Sequence, residues 1–179
     1  ETGTLTASNY DFPNLVSGTL TINKAPLTVT ANNAIKTYGD ANPVLGTTVS
    51  GFVNGETLAT SGVSGSGAAS TTADATTGAG SATITAAVGT LTASNYDFPN
   101  LVSGTLTINQ RPVTVTADPK FKAYGEVNPA FTFSVAADGV GTSRGLVNAD
   151  TLSGSLTTTA NQASGCLLYT SPSPRDRQK

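Results

Sequence analysis

The stretch GTLTASNYDFPNLVSGTLTIN occupies residues 3–23, and the same residues return without a change at 89–109. The first residues of the two copies, Gly3 and Gly89, set a repeat period of 86 residues. A fixed period marks an array of modules, each of which has to be understood together with its neighbours. The chain is therefore interpreted as tandem repeats and not as one large domain.

The repeat continues beyond the identical block. KAPLTVTANNAIKTYGDANP at 24–43 matches QRPVTVTADPKFKAYGEVNP at 110–129 in the same register. Farther on, GFVNGETL at 51–58 matches GLVNADTL at 145–152 at an offset of 94, so the third copy has gained 8 residues, near 136–144. Insertions of this kind are tolerated in surface loops between strands.

These matches divide the chain into four parts. They predict the C-terminal part of a truncated module at 1–23 and a complete β module at 24–109. They also predict the N-terminal part of a third, truncated module at 110–165 and a non-native tail at 166–179. We expect only the complete module to fold independently, because the two partial modules lack strands and should expose unpaired edges. The chain is interpreted as an internal fragment of a longer protein.

The tail has a composition of its own. CLLYTSPSPRDRQK at 166–179 has no counterpart in the complete module, and residues 166–176 resemble the in-frame translation of a transposase adapter used in preparing sequencing libraries. Such a segment is left out of fold reasoning. Without Cys166 the modules contain no cysteine, so disulfide bonds cannot brace them.

Composition narrows the classes of function. Charged residues make up 11% of the chain, the net charge is −2, and His, Met and Trp are absent. A chain without a basic stripe cannot neutralise many phosphates, so we expect no nucleic-acid partner and no electrostatic binding to a membrane surface. No stretch approaches the roughly 18 consecutive apolar residues of a membrane-spanning helix, so we expect no membrane insertion.

The pattern of side chains predicts short strands. Apolar residues alternate with threonine at Leu27, Val29 and Ala31, and again from Ala82 through Ile84 to Ala86. This period of two is typical of half-buried strands, and threonine suits the wet face because it is β-branched and polar. The fold is predicted to be mostly β with little or no helix. A two-layer β-sandwich and a β-grasp-like sheet with one helical turn both fit.

The identical block is also predicted to form strands. Alternation at Leu20 and Ile22 places strands at residues 3–6 and 15–22. Tyr10 and Phe12 have the spacing of one strand face, and aromatics of this size would anchor a core otherwise built from Ala, Val, Leu and Ile.

Two local motifs predict turns. Tyr38–Pro43 reads YGDANP and Tyr124–Pro129 reads YGEVNP. Glycine permits positive φ and Asn-Pro favours a reversal, so the motif predicts a double bend held by a buried tyrosine. Asp40 and Asn42 as calcium ligands are the alternative, although calcium usually needs several carboxylates together. Asn54-Gly55 is a separate, strong turn signal, with Phe52 and Leu58 as flanking core residues, and one helical turn is the alternative there.

The residues needed for catalysis are missing. With no His and no native Cys, hydrolase nucleophile–base pairs and the usual zinc sites are not expected. Acidic residues are scattered singly, at Asp11, Asp40, Glu56, Asp74 and Asp97. Gly62–Gly67 lacks the lysine and helix of a phosphate loop and is predicted to be an ordinary loop. We expect no enzymatic activity, no cofactor and no catalytic, cofactor-binding or metal site.

One lysine position has two interpretations. Lys36, with its counterpart Lys122, either is a solvated side chain beside a turn or forms an isopeptide bond with an Asn or Asp. The solvated lysine is the preferred interpretation, because lysine is almost never fully buried unless it is paired.

The combination of motifs resembles a known family. The order of APLTVTA, Tyr-Gly-Asp-x-Asn-Pro, GFVNGETL, ITAAVGTLTASNYDF and GTLTIN over residues 1–165 resembles the MBG domain of the YGX type, a mostly-β repeat. The resemblance implies a large secreted or surface-attached bacterial protein, often of the filamentous-haemagglutinin-like adhesin kind, with an extracellular or cell-surface location. It implies no catalytic residues.

The leading hypothesis is a structural stalk of stiffly linked modules that projects an adhesive domain and contacts only neighbouring modules of the same chain. The alternative makes each module a weak binding unit for a host glycan or protein, acting by avidity. Exposed aromatics at Tyr10, Phe12, Tyr38 and Phe52 would favour the alternative.

Overall fold

The computed structural model describes residues 3–165, and its regular structure is all β. No helix occurs within these residues, so the mostly-β prediction is confirmed. Nine strands follow one another between residues 3 and 165: β1 (Ala25–Ala31), β2 (Ala34–Thr37), β3 (Thr47–Ser50), β4 (Ala68–Ser70), β5 (Gly80–Ala87), β6 (Tyr96–Val102), β7 (Gly104–Asn109), β8 (Val115–Ala117) and β9 (Phe133–Val135).

Two mixed sheets form the module at 24–109. One has the strand order β3-β1-β6 and the other has the order β2-β7-β5-β4. The pairs β1–β6 and β2–β7 are parallel, and the remaining pairs within the two sheets are antiparallel. Two sheets without a helix correspond to the two-layer alternative.

The two parallel pairs run along the length of the module. A single residue, Ser103, separates β6 from β7, which is too short for a chain reversal, so these strands continue in one direction. Ala25 pairs with Tyr96 at one end of this path, and Thr37 pairs with Asn109 at the other. The chain therefore enters and leaves the module at opposite ends.

The core lies between the sheets and follows the alternating pattern. Leu27 and Val29 of β1 are fully buried, as are Ile84 of β5 and Leu106 of β7, while the intervening threonines of β5 and β7 are exposed. The predicted face of Ala82, Ile84 and Ala86 is confirmed as an inward face. Burying side chains of the Leu, Ile and Val type contributes about 1.5–3 kcal/mol each, so this small cluster dominates the stability of the module.

Tyr96 closes the end of the core where the chain enters. Its ring packs edge-on against Phe52, with 5.7 Å between ring centroids, and its hydroxyl donates a hydrogen bond to Glu56. The Asn54-Gly55 turn that brings these residues together has φ of 55° and 72°, as the sequence motif predicts. Val53 accepts the hydrogen bond that closes this turn, from the backbone N–H of Glu56 at 3.0 Å.

The third copy repeats the start of this architecture. Val115 pairs with Val135 in the β8–β9 ladder, as Val29 pairs with Val49 in the β1–β3 ladder. Ala136 also keeps the offset of 86, because its N–H donates to the carbonyl of Thr114 at 2.9 Å as Ser50 pairs with Thr28, whereas Gly145 lies 94 residues after its equivalent, Gly51. The 8 additional residues are therefore 137–144, in the loop position that the sequence predicted.

The strands predicted at residues 3–6 and 15–22 are wrong. Residues 3–23 contain no strand and are exposed along their whole length, although 89–109 have the same sequence and form β6 and β7. The prediction that Tyr10 and Phe12 are core anchors fails with them, since these residues are 80% and 40% exposed. The reason is the absence of partners: β6 and β7 are held by β1, β2 and β5, and none of these strands pairs with residues 3–23.

Candidate functional site

The YGX turn is built the same way in both copies. Gly39 and Gly125 have φ of 85° and 87°, a left-handed conformation that glycine adopts without strain. Asp40 donates its backbone N–H to the carbonyl of Thr37 at 3.0 Å, and Glu126 donates to the equivalent Ala123 at 3.2 Å. The first bend of the predicted double bend is confirmed, whereas no turn follows at Asn42-Pro43 or Asn128-Pro129. Its tyrosine is not deeply buried, because Tyr38 is half-buried against the core and Tyr124 is 74% exposed.

A buried lysine anchors this turn, so the preferred prediction of a solvated Lys36 is wrong. The residue is only 6% exposed, and its Nζ donates hydrogen bonds to the backbone carbonyls of Asp40, at 3.2 Å, and Asp74. A buried ammonium group is tolerated when its protons are matched by acceptors, and here the acceptors are carbonyl oxygens. Neither is the side-chain carboxylate or carboxamide that an isopeptide bond requires.

The asparagine of the motif completes this cradle. Asn42 donates its Nδ2 to the carbonyl of Ala73 at 2.6 Å, next to the carbonyl that Lys36 binds. The third copy has the same two contacts: Lys122 Nζ lies 2.6 Å from the carbonyl oxygen of Asn161, and Asn128 Nδ2 lies 2.7 Å from that of Ala160. We call these two arrangements the lysine cradles.

The segment bound by the first cradle is capped by an acidic side chain. Asp74 Oδ1 accepts hydrogen bonds from the backbone N–H of Thr76, at 2.8 Å, and of Thr77, at 3.0 Å, and from both threonine hydroxyls. These bonds favour the charged form and lower the pKa of Asp74, with those from Thr76 contributing most. In the second cradle an uncharged residue, Asn161, replaces Asp74, and its Oδ1 accepts the N–H of Ala163 at 2.9 Å.

The second cradle corrects the alignment of the copies. Asp74 and Asn161 are 87 residues apart, although Leu58 and Leu152 are 94 apart, so the third copy loses 7 residues after Leu152. Sequence reasoning missed this deletion. The match of TTADATTG at 71–78 to TTANQASG at 158–165 carried the signal, within a stretch of small residues.

The YGX turn of the complete module also contacts the next copy. Asp40 Oδ1 lies 3.1 Å from Nη1 of Arg111 and 2.9 Å from Nη2 of Arg144. Both arginines also pair with Asp138, at 3.4 and 3.3 Å. Arg111 reaches back along the turn as well, donating from Nη1 to the carbonyl of Tyr38 at 3.3 Å. We call this four-residue network the joint.

Close packing accompanies the ion pairs. A Cβ placed on Gly39 would lie 2.5 Å from Cγ2 of Val147, so the two copies touch at this glycine. The side chain of Arg111 is only 8% exposed, and its Nε donates to the carbonyl of Arg144 at 2.8 Å. Exposed ion pairs contribute little to stability, but a nearly buried guanidinium with several acceptors holds a defined geometry.

Three features of the third copy create the joint. The residue equivalent to Arg111 in the complete module is Ala25, and Arg144 is one of the inserted residues, since Ala136 takes the position of Ser50. The inserted residues 137–144 also supply Asp138. They also supply Ser143, whose buried Oγ donates to the carbonyl of Ala136 at 2.9 Å and accepts the N–H of Thr114 at 3.2 Å. The insertion is therefore a contact loop.

The predicted calcium ligands do not share one site. Asp40 faces two guanidinium groups, whereas Asn42 points its amide nitrogen at a carbonyl in the lysine cradle. The guanidinium groups of Arg111 and Arg144 already neutralise the Asp40 carboxylate, so it is not available as a calcium ligand. Among residues 3–165, no cluster of three or more His, Cys, Asp or Glu side chains could hold a metal ion.

The other residues singled out from the sequence lie apart from one another. Glu56 binds Tyr96, Asp74 caps its own turn, and Asp11 and Asp97 are exposed. Gly62–Gly67 form a loop, crossed by the isolated bridge of Ser64 with Thr92. Phe12 is exposed with Tyr10, and Phe52 and Tyr38 are half-buried. The prediction of Leu58 as a core residue is wrong, since it is 49% exposed.

The comparisons identify one family. The family model described as MBG domain (YGX type) matches residues 27–107 and again residues 113–169. No curated protein and no solved structure gives a significant match. The second matched range extends four residues beyond the part of the chain that the structure describes. Within that part, no helix has the length and apolar character to cross a membrane.

Proposed function

Since the chain belongs to the MBG domain family of the YGX type, a family of repeat domains of surface proteins, we propose that it is a structural stalk. In this proposal the modules are spacers of a large secreted or surface-attached bacterial adhesin of the filamentous-haemagglutinin-like kind. They hold an adhesive domain away from the cell, at an extracellular or cell-surface location. The partners of each module are its neighbours in the chain, and the stalk has no enzymatic activity.

The observation that carries the proposal is the path of the chain. Entry at Ala25 and exit at Asn109 lie at opposite ends of two parallel strand pairs. Between Tyr96 and Asn109 the strands advance by at most about 45 Å, at roughly 3.3 Å per residue. A module that passes the chain from end to end adds its full length to an array, which is what a spacer requires.

The joint supports the same function. Ion pairs to Asp40 and the contact of Gly39 with Val147 fix the end of one module against the start of the next. A stalk needs such contacts, because modules connected by free linkers would only form a random coil.

The alternative, weak binding of a host glycan or protein by each module, has less support. Tyr10 and Phe12 are exposed, as that hypothesis requires, but Tyr96, the equivalent of Tyr10 in the complete module, is buried. Their exposure follows from missing strand partners and does not mark a binding platform. A glycan array probed with the chain tests the alternative directly.

Scattering from longer arrays tests the stalk. A complete module that carries the joint residues can be assembled from residues 110–144 followed by 51–109, with Glu126→Asp to restore the acid of the joint. Inserting one, two and three such modules after Asn109 should increase the maximum dimension in equal steps. Growth with the square root of module number would indicate flexible joints, and growth with the cube root a globule. Either result would refute the stalk.

A second experiment tests the stiffness of the joint itself. Spin labels on cysteines at the exposed positions Thr83 and Thr116, in a Cys166→Ser chain, report the distance between the two modules. We expect one narrow distribution that broadens with Asp40→Asn, because both arginines then lose the carboxylate that ties them to the complete module and keep only Asp138 of their own copy. Glu126→Gln is the matched control, and its distribution should stay narrow. An unchanged Asp40→Asn distribution would show that the ion pairs do not stiffen the joint.

A further inference from the structure

The order of the strands decides how a pulling force passes through the complete module. The chain enters β1 at Ala25 and leaves β7 at Asn109, at opposite ends of the module. Tension along a stalk therefore pulls β1 towards the entry end and β7 towards the exit end. Because β6 continues into β7 through the single residue Ser103, the pull on β7 also reaches β6, the parallel neighbour of β1.

Two parallel ladders oppose this pull in shear. β1 pairs with β6 at five positions, and β2 pairs with β7 at four. The hydrogen bonds of a ladder connect one strand to the other, so a pull along the strands in opposite directions loads all pairs at the same time. A pull across the strands would load only the pair at the end, and the pairs would then open one by one. If β1 slips, the pull reaches β2, whose ladder with β7 is loaded in the same sense.

Both strands that take the load are inner strands of their sheets. β1 lies between β3 and β6, and β7 lies between β2 and β5. Each is held by a ladder on both sides, so neither can be peeled from a sheet edge. Leu27 and Val29 of β1 and Leu106 of β7 are fully buried, and Ile108 of β7 is nearly so. Sliding either strand along its neighbours would pull these side chains out of close packing together.

The rest of the module lies outside the direct path of the force. Residues 38–95 contain β3, β4, β5 and the longest loops, and they form one excursion of the chain between β2 and β6. While the two parallel ladders hold, tension passes from β1 and β2 to β6 and β7 without stretching this excursion. Loops such as 51–67, rich in small residues, therefore need no mechanical strength of their own.

We propose that the complete module is a shear clamp, a unit that stays folded under tension because the β1–β6 and β2–β7 ladders are loaded along their strands. The clamp rests on the proposed stalk, since a stalk between a cell and the object to which it adheres is pulled along its length. It adds a further function, because a spacer needs only length and a tether must also resist opening. Forced unfolding is governed by the unfolding rate, so a module with a small core can still be mechanically strong.

Pulling the same module in two directions tests the clamp. In a Cys166→Ser chain, Asn23→Cys with Asn109→Cys attaches the handles of an optical trap in the shear direction. Asn23→Cys with Ser50→Cys attaches them in an unzipping direction, because Ser50 pairs with Thr28 at the entry end of the antiparallel β1–β3 ladder. All three labelled positions are exposed. We expect the opening force to be several times higher in the shear direction.

Two results of this experiment separate the clamp from the stalk. Opening in the shear direction should lengthen the tether by about 250 Å, at roughly 3.5 Å per released residue, which identifies the complete module as the unit that opened. Equal opening forces in the two directions would overturn the clamp. They would leave the stalk intact, because scattering from longer arrays measures length without load. Arrays that scatter as globules would refute the stalk, whereas the difference between the two pulling directions would remain.

A pair of core substitutions separates the clamp from overall stability. Val29→Ala removes a buried contact inside the β1–β6 ladder, whereas Leu91→Ala removes one in the loop between β5 and β6, outside both ladders. The leucine change should lower the free energy of unfolding at least as much, because it deletes the larger side chain. Val29→Ala should nevertheless lower the opening force more. Forces that fall in proportion to the loss measured by urea unfolding would refute the clamp, and the comparison of directions decides independently of both variants.

Discussion

Residues 3–23 and 89–109 have the same sequence and different structures. The later copy forms β6 and β7 and buries Tyr96, Leu106 and Ile108, whereas the earlier copy forms no strand and exposes all three equivalents. The two segments have the same sequence, so the difference in structure comes from the neighbouring strands, which only the later segment has. A strand needs neighbours for its main-chain hydrogen bonds and for its apolar face, and local propensity alone does not supply them.

The largest expected effect tests this comparison at one residue. Leu106→Ala should destabilise the complete module by about 3 kcal/mol, because it removes a fully buried side chain and leaves a cavity. Leu20→Ala, the same substitution in the same local sequence, should change the free energy of unfolding by less than about 0.5 kcal/mol, as expected for an exposed site. Urea unfolding followed by circular dichroism measures both. Similar losses would mean that residues 3–23 are also folded.

The lysine cradles allow a second comparison, between the equivalent residues Lys36 and Lys122. Lys36→Met should cost about 2 kcal/mol, because carbonyl acceptors near the core lose a charged donor. Lys122→Met should cost below about 1 kcal/mol, since Lys122 is partly exposed and water can replace it. Hydrogen exchange of the YGX turn in each copy reports the two effects separately. Equal effects would show that burial does not set the strength of a cradle.

The sequence predicted the features that depend on local pattern. Alternation identified the faces of β1 and β5, Asn54-Gly55 identified a turn, and the change of offset located the inserted loop. These features require only residues that are close in the chain, where strand period and turn chemistry act.

The features it did not predict all depend on distant residues. Lysine is rarely buried, so composition favoured an exposed Lys36, and only the fold brings the carbonyl of Asp74 to its Nζ. The pairing of Asp40 with Arg111 joins residues 71 positions apart and likewise has no local signal. The failure of strands in residues 3–23 belongs with these, because partner strands are also a distant property.

A smaller effect is expected at the turn that both copies share. Asn54-Gly55 becomes Asn148-Ala149, and Ala149 adopts φ of 59°, which is unfavourable for any residue with a Cβ. Ala149→Gly should therefore stabilise its turn by about 1 kcal/mol. Gly55→Ala should destabilise the turn of the complete module by a similar amount, because no neighbour would clash with the added Cβ and only the backbone strain counts. Exchange of the closing amides of Asp150 and Glu56 should change about fivefold, in opposite directions. Changes of the same sign would contradict the equivalence of the turns.

The smallest expected effect is a dependence on pH that only the folded copy can show. The hydrogen bond from the Tyr96 hydroxyl to Glu56, reinforced by burial, raises the pKa of Tyr96 above its ordinary value of about 10. The folded state therefore holds this proton more tightly than the unfolded chain. The stability it contributes is complete below pH of about 10 and is lost as pH rises through the higher folded value.

Thermal unfolding between pH 8 and 11.5 should show this loss, and absorbance at 295 nm should show a tyrosine that ionises late. Glu56→Gln removes the main cause of the raised pKa and should flatten the alkaline decline. Tyr96→Phe should abolish the late transition, while Tyr10→Phe, the matched change in the copy without Glu56 as partner, should leave it intact. A late transition that vanished with Tyr10→Phe would place the folded environment in residues 3–23, and would reverse the assignment of partners on which the comparison depends.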